Sequence, residues 1–196
     1  ATIREIHHRV KNNLQTVSAL LRLQSRRSSE DAVKVALAEA ERRVQAIATV
    51  HAALSHNVNE SVDFDEVART VLRMSGAVAS TDHSVKVATS GRFGVIQADQ
   101  AQALATVLNE LVANSVEHGL ADRDGRIEVR AERRGDTMTV TVADDGAGFE
   151  PGTPMTGLGT QIVKQMVSGE LKGNIEWALR EGGGTVATIV MHLDRP

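Results

Sequence analysis

Val140-Thr141-Val142-Ala143-Asp144-Asp145-Gly146-Ala147-Gly148-Phe149 decides how this chain folds. Its first half alternates apolar and polar residues with period two, the pattern of a half-buried strand. It then ends in Asp-x-Gly-x-Gly. Two glycines beside an acid at a strand end allow a tight turn and close approach of the backbone to a ligand. The carboxylate of Asp144 can accept a hydrogen bond from an exocyclic amine. A glycine-rich turn with no ligand has the same letters, so the flanking segments carry the decision.

Upstream, residues 126–134 and 137–143 alternate about Gly135-Asp136, a hairpin signal. Before them residues 97–119 form a long helical pattern with Leu104, Val107, Leu108, Leu111, Val112 and Val116 on one face. Within it Glu110, Asn114 and, nearly, His118 recur every fourth residue and interrupt the apolar stripe. A solvated helix face would also account for that repeat. Downstream, Gly157-Leu158-Gly159-Thr160 opens a helix over 157–168 whose N-terminal amides could hold phosphate. Glycine caps explain it equally well. Strands over 175–179 and 185–193 close the chain, the second entered through Gly182-Gly183-Gly184-Thr185. Toward the N-terminus the pattern predicts a helix over 63–79 capped by Asp63 and short strands near 84–89 and 93–96. Helices and antiparallel strands thus mix in an α/β sandwich on a sheet of about five strands.

The first third reads differently. Ile3, Ile6, Val10, Leu14, Val17, Leu20 and Leu21 step by threes and fours along one helix stripe. Arg26-Arg27-Ser28-Ser29-Glu30-Asp31 interrupts it, with Ser28 or Ser29 as a cap for the next helix. A second stripe follows through Val33, Leu37, Ala40, Val44, Ile47 and Leu54. Two helices of about 25 residues make a hairpin with one apolar face and little to bury it. Pairing with a second copy in a four-helix bundle solves that, so a homodimer through residues 1–57 is expected. Polar His56-Asn57-Val58-Asn59-Glu60 reads as a linker to a second domain at 61–196.

Composition narrows the function. The chain has 196 residues, 41% apolar and 24% charged, and no cysteine, which excludes disulfides, thiolate metal sites and cysteine nucleophiles. Lys plus Arg (22) against Asp plus Glu (25) gives −3, no footing for direct nucleic-acid binding. No run of about 18 apolar residues appears, so no membrane segment is expected and a cytoplasmic location is the default. The chain starts without Met and runs straight into a helix, as a fragment would whose upstream sensor has been cut away.

In their order, the acid-and-amide helix, the strand with Asp-x-Gly-x-Gly, the short loop, Gly-x-Gly with its helix, and Gly-Gly-Gly-Thr before a strand resemble the ATP-binding domain shared by histidine kinases, gyrase, Hsp90 and MutL. The resemblance covers 61–196. It implies an α+β chain: a helical hairpin followed by an α/β sandwich of the Bergerat type. It further implies that Asn114 ligates Mg²⁺ on the ATP phosphates and that Asp144 binds the adenine amino group. Gly146 and Gly148 would line the adenine pocket, and Gly157 and Gly159 would hinge a lid over the phosphates. Thr185 would support the adenine through Asp144 or water, with His118 and Leu158 among the nucleotide-binding residues. The lid, Glu150-Pro151-Gly152-Thr153-Pro154-Met155-Thr156, is short, and no second Phe follows it.

Glu5-Ile6-His7-His8-Arg9-Val10-Lys11-Asn12-Asn13-Leu14-Gln15 resembles the dimerisation motif of the HisKA_2 histidine kinases, relatives of the HWE kinases, in which His-Arg is followed by Asn. Family members carry Glu where classical kinases have Asn, and Glu110 fits. At about 100° per residue His7 falls on the flank of the apolar stripe and His8 nearly opposite it. His8 is therefore the expected phosphoacceptor, with Asn12 one turn below it. His7 is a packing neighbour, and His51 an interface histidine. The expected chemistry is ATP-dependent phosphoryl transfer to His8 and then to an aspartate on the receiver domain of a response regulator. Within the family, likeness to soluble actinobacterial kinases implies a regulator with an RNA-binding antiterminator output. Glu110 would orient or deprotonate the imidazole. Arg9 and Lys11 either neutralise phosphate or are plain bundle charges. A protein-serine kinase of the anti-sigma type and an ATP-binding dimerisation scaffold are the alternatives.

Overall fold

The computed structural model describes residues 2–55, 60–79, 83–121, 123–155 and 157–195. The chain divides into two compact units, Ala1–Asn57 and Val58–Pro196. The linker read at 56–60 lies, apart from Glu60, outside the described residues.

The first unit is a hairpin of α1 (Ile3–Arg27) and α2 (Asp31–Leu54). Thr2 caps α1 by accepting from the Glu5 amide at 3.2 Å, and Arg26 and Arg27 sit in its last turn, where they complement the helix dipole. The capping expectation at Ser28 is corrected. Glu30 is the N-cap of α2 without a side-chain bond, and Ser28 ends α1 while its hydroxyl accepts from the Glu30 amide. The apolar stripe is corrected too. The inward residues of α1 are His7, Val10, Leu14, Ser18, Leu21 and Ser25, whereas Ile3, Ile6, Val17, Leu20 and Leu23 are exposed. The stripe read from periodicity merged two faces, and His7 belongs to the one turned toward α2, not to its flank.

The second unit is a two-layer sandwich. β1 (Ser61–Asp63) pairs antiparallel with β3 (Val95–Gln97), and α3 (Phe64–Ala79) starts where Asp63 accepts from the Asp65 amide. The main sheet runs β2 (Val85–Gly91), β4 (Gly125–Arg134), β5 (Thr137–Asp144), β7 (Thr185–His192), β6 (Asn174–Leu179) in spatial order. β2 and β4 are parallel, a correction to the all-antiparallel expectation. The long connection between them contains α4 (Ala98–Asn114) and returns the chain to the same end of the sheet. β4 and β5 form the expected hairpin, and Gly135, at φ +61°, supplies the positive φ its two-residue turn needs.

Strict alternation builds the core. Ile127 and Val129 of β4, Met138 and Val140 of β5, and Ile189 and Met191 of β7 are fully buried on the face covered by α3, α4 and α5 (Leu158–Ser168). Each such side chain contributes about 1.5–3 kcal/mol. The helix expected over 97–119 is α-helical only to Asn114. Ser115–Gly119 widens into a π-helical turn, a feature common at functional sites.

Candidate functional site

Asp144 ends β5 with 3% of its surface exposed, and a carboxylate buried this far needs hydrogen bonds. Its Oδ1 accepts from the Gly146 amide at 2.9 Å and the Thr185 amide at 3.3 Å. Neither of these bonds uses Oδ2. Thr185 therefore meets Asp144 through its backbone amide.

The walls are built from close backbone approaches. A Cβ on Gly146 would stand 2.0 Å from the Gly119 carbonyl oxygen, to which the Ala147 amide donates at 2.9 Å. A Cβ on Gly119 would lie 2.9 Å from both Asp144 oxygens. Gly148 has φ +73° and faces Leu179 and Gly184; Gly184, at φ +100°, leaves no room for a Cβ beside the Asp144 carbonyl oxygen. Gly119 and Gly184, which the sequence pattern did not single out as site residues, crowd Asp144 as closely as Gly146 does. The signal for Gly119 was present in its place at the helix end, where a glycine passes for an ordinary C-cap.

Glu110, Asn114 and His118 grade outward. Glu110 is 6% exposed, Asn114 is half-buried and His118 is exposed. A solvated helix face is thereby excluded for the first two. The π-helical turn begins directly after Asn114, so His118 leaves the phase of the α-helical repeat. At the other rim Gly157 is the N-cap of α5 without a side-chain bond, Leu158 is 52% exposed, and Gly159 is buried. The first amides of this 11-residue helix lack helical partners and suit an anion. Lys164 of α5 donates to the Met155 carbonyl at 3.2 Å and lies over Trp177, tying the loop's end to the helix. Thr156 of that loop lies outside the described residues. A separate cavity of about 280 Å³ between α3 and the 91–93 segment is structural, its Asp65 being engaged by the Phe93 and Gly94 amides.

In the hairpin, His8 and Asn12 are exposed one turn apart on α1. Arg9 is paired with Glu5 at 2.7 Å along the same exposed face. His7 is half-buried, its Nδ1 3.3 Å from Nε2 of His51 on α2. The two adjacent histidines thus have opposite surroundings.

Comparison with known proteins adds two family matches. Residues 5–77 match the HisKA_2 histidine kinases, and residues 99–195 match the histidine kinase-, DNA gyrase B- and HSP90-like ATPases. Sensor histidine kinase PdtaS of Mycobacterium tuberculosis is 48% identical over 180 residues, 89% of this chain and 36% of that protein. PdtaS of Mycolicibacterium smegmatis is 44% identical over 200 residues, 100% of this chain and 40% of that protein. The chain thus spans well under half the length of these relatives. Among solved structures, a blue-light activated histidine kinase from Erythrobacter litoralis superposes with a TM-score of 0.67 at 22% identity, covering 98% of this chain and 61% of that one, a likeness of fold.

Proposed function

This chain belongs to the HisKA_2 histidine kinases, and from that membership we propose that it is the kinase core of a sensor, moving the γ-phosphoryl group of MgATP to His8 and then to a receiver aspartate. The observation that carries the reading is the pair of surroundings at His7 and His8: one imidazole is held by α2, the other is free to meet two substrates in turn.

Asp144 Oδ2 accepts from the adenine amino group between the Gly146 and Gly148 backbones, and the open N-terminus of α5 takes phosphate oxygens. Asn114 offers an amide oxygen, a hard donor suited to Mg²⁺, and among the described residues no cluster of three His, Asp or Glu would hold the ion unaided. When bound, the ion neutralises charge on the phosphate oxygens. The neutral ring of His8 attacks the γ-phosphorus through one nitrogen; the bond to the ADP oxygen breaks, and the ring proton passes to Glu110 or water. In the second half a receiver carboxylate attacks the same phosphorus and the N–P bond breaks, returning the electron pair to the ring, which takes back a proton from solvent. Asn12, one turn along α1, orients the ring by hydrogen bonding.

The dimer is part of the proposal. Ile3, Ile6, Val17, Leu20 and Leu23 are 44–55% exposed on α1 and suit burial against a second copy. An upstream sensor and a regulator with an RNA-binding output follow the resemblance to the soluble kinases above. A cytoplasmic site follows the same resemblance; among the described residues no helix is long and apolar enough to cross a membrane. The serine-kinase alternative leaves the hairpin without a purpose.

Incubation with γ-labelled ATP and Mg²⁺ tests the reading. Label that is acid-labile, alkali-stable, kept in His7→Asn and lost in His8→Gln is the expected result. Acid-stable label, or label retained in His8→Gln, refutes it.

A further inference from the structure

His7 and His51 remain unused by this chemistry. They form the cross-helix tie beside the phosphoacceptor turn, far along the hairpin from Ser25 with the Lys34 carbonyl, Arg22 with Glu41, and Ser18 with Glu41 and Gln45. Their ring centroids are 5.0 Å apart and the planes tilt by 51°, so the rings meet through nitrogens and do not stack. At 3.3 Å one nitrogen donates and the other accepts, which orients both rings.

We infer that His51, acting through His7, is a positioning residue for His8: the Nδ1–Nε2 contact sets the rotation of α1 about its axis at the turn from which His8 emerges. The inference rests on His8 being the acceptor. The physical reason is leverage. A ring about 5.5 Å from the helix axis swings about 1 Å for each ~10° of helix rotation. A misplacement of that size costs about 10²-fold in rate. Apolar contacts at Val10 and Leu14 resist separation of the helices but are non-directional and tolerate small rotations. A hydrogen bond between two short, stiff side chains does not. His7 precedes His8 by one residue, so no intervening turn dilutes the constraint.

The two partners use different ring nitrogens, and this yields an opposite pair of isosteres. Gln places an amide near the position of Nε2, and Asn near that of Nδ1. Initial rates of His8 labelling are measured against ATP concentration for His51→Gln, His51→Asn, His51→Leu, His7→Asn, His7→Gln and the His7→Leu/His51→Leu double variant. Positioning predicts that His51→Leu loses about 10-fold to 100-fold in kcat with KM for ATP unchanged. His51→Gln and His7→Asn recover most of the rate, and their swapped counterparts do not. The double Leu variant loses no more than His51→Leu alone, because one contact is removed once. Equal rates for Gln and Asn at both positions, or a His51→Leu rate within twofold of wild type, overturn the inference while leaving the kinase reading intact. Should Leu at 51 unfold the hairpin by circular dichroism, the Gln and Asn pairs still decide. Absence of His8 labelling in the unaltered chain overturns the kinase reading itself, and this inference with it.

Discussion

The hairpin and the sandwich carry their chemistry in opposite ways. On α1 the proposed acceptor, His8, is exposed, and its position follows from helix phase: His7 points in, His8 out, about 100° apart. In the sandwich the proposed recognising group, Asp144, is buried, and partners distant in sequence hold it. Asp144 is hydrogen-bonded to Gly146, two residues on, and to Thr185, forty-one residues on, while Gly119 closes on it from the π-helical turn. A group that must visit two partners needs access; one that must discriminate a base needs fixed hydrogen-bonding atoms away from water.

The sharpest break between the two regions comes from removing one function while keeping the other. His8→Gln should abolish labelling and leave ATP affinity within twofold, whereas Asp144→Ala should lower ATP affinity by about 10-fold to 150-fold, the loss of a hydrogen bond to a charged group of about 1.5–3 kcal/mol. Isothermal titration with a non-hydrolysable ATP analogue reads both, and tight binding by Asp144→Ala would remove Asp144 from the site. Next in size is Gly146→Ala. Its Cβ would meet backbone at 2.0 Å, so unfolding should cost about 1–3 kcal/mol less by urea titration. Gly157→Ala meets nothing within 4 Å and has φ −59°, so its stability should be unchanged or raised by up to about 1 kcal/mol. In the hairpin, Leu20→Glu should shift the proposed dimer toward monomer at least tenfold in sedimentation equilibrium, with helix content kept. The smallest effect is expected at the surface of β4. Arg134, by hydrogen bond and charge, lowers the pKa of exposed Glu132. With the folded-state pKa lowered, the stabilisation is present above the unfolded carboxylate pKa and is lost as pH falls through the folded one. Arg134→Ala should return the Glu132 titration, followed by NMR, to its ordinary range without a resolvable change in melting temperature.

Both helices of the hairpin, the five segments that become the strands of the main sheet, the β4–β5 hairpin and the order of motifs around Asp144 were legible, because apolar period and turn residues act over a few residues. β1 was not. Three residues long, it exists through pairing with Val95–Gln97 more than thirty residues away. The parallel β2–β4 pair was illegible for the same kind of reason, since strand direction depends on where α4 returns the chain. The π-helical turn after Asn114 is bound up with the Gly119 carbonyl reaching the Ala147 amide, a contact no helix propensity encodes. The two apolar faces of α1 blurred into one stripe because Ile6, Val10 and Leu20 are equally apolar, and only α2 distinguishes them.

Residue order alone determined that a hairpin precedes a sandwich, that an acid and glycines end a strand, and that His7 and His8 face different ways, since each is a matter of local periodicity and chain stereochemistry. Tertiary structure decided which imidazole is tied to α2, which oxygen of Asp144 is spent, and that Gly119 must be a glycine. Those outcomes depend on burial and on hydrogen-bond partners supplied by distant segments, and neither exists until the chain has closed on itself.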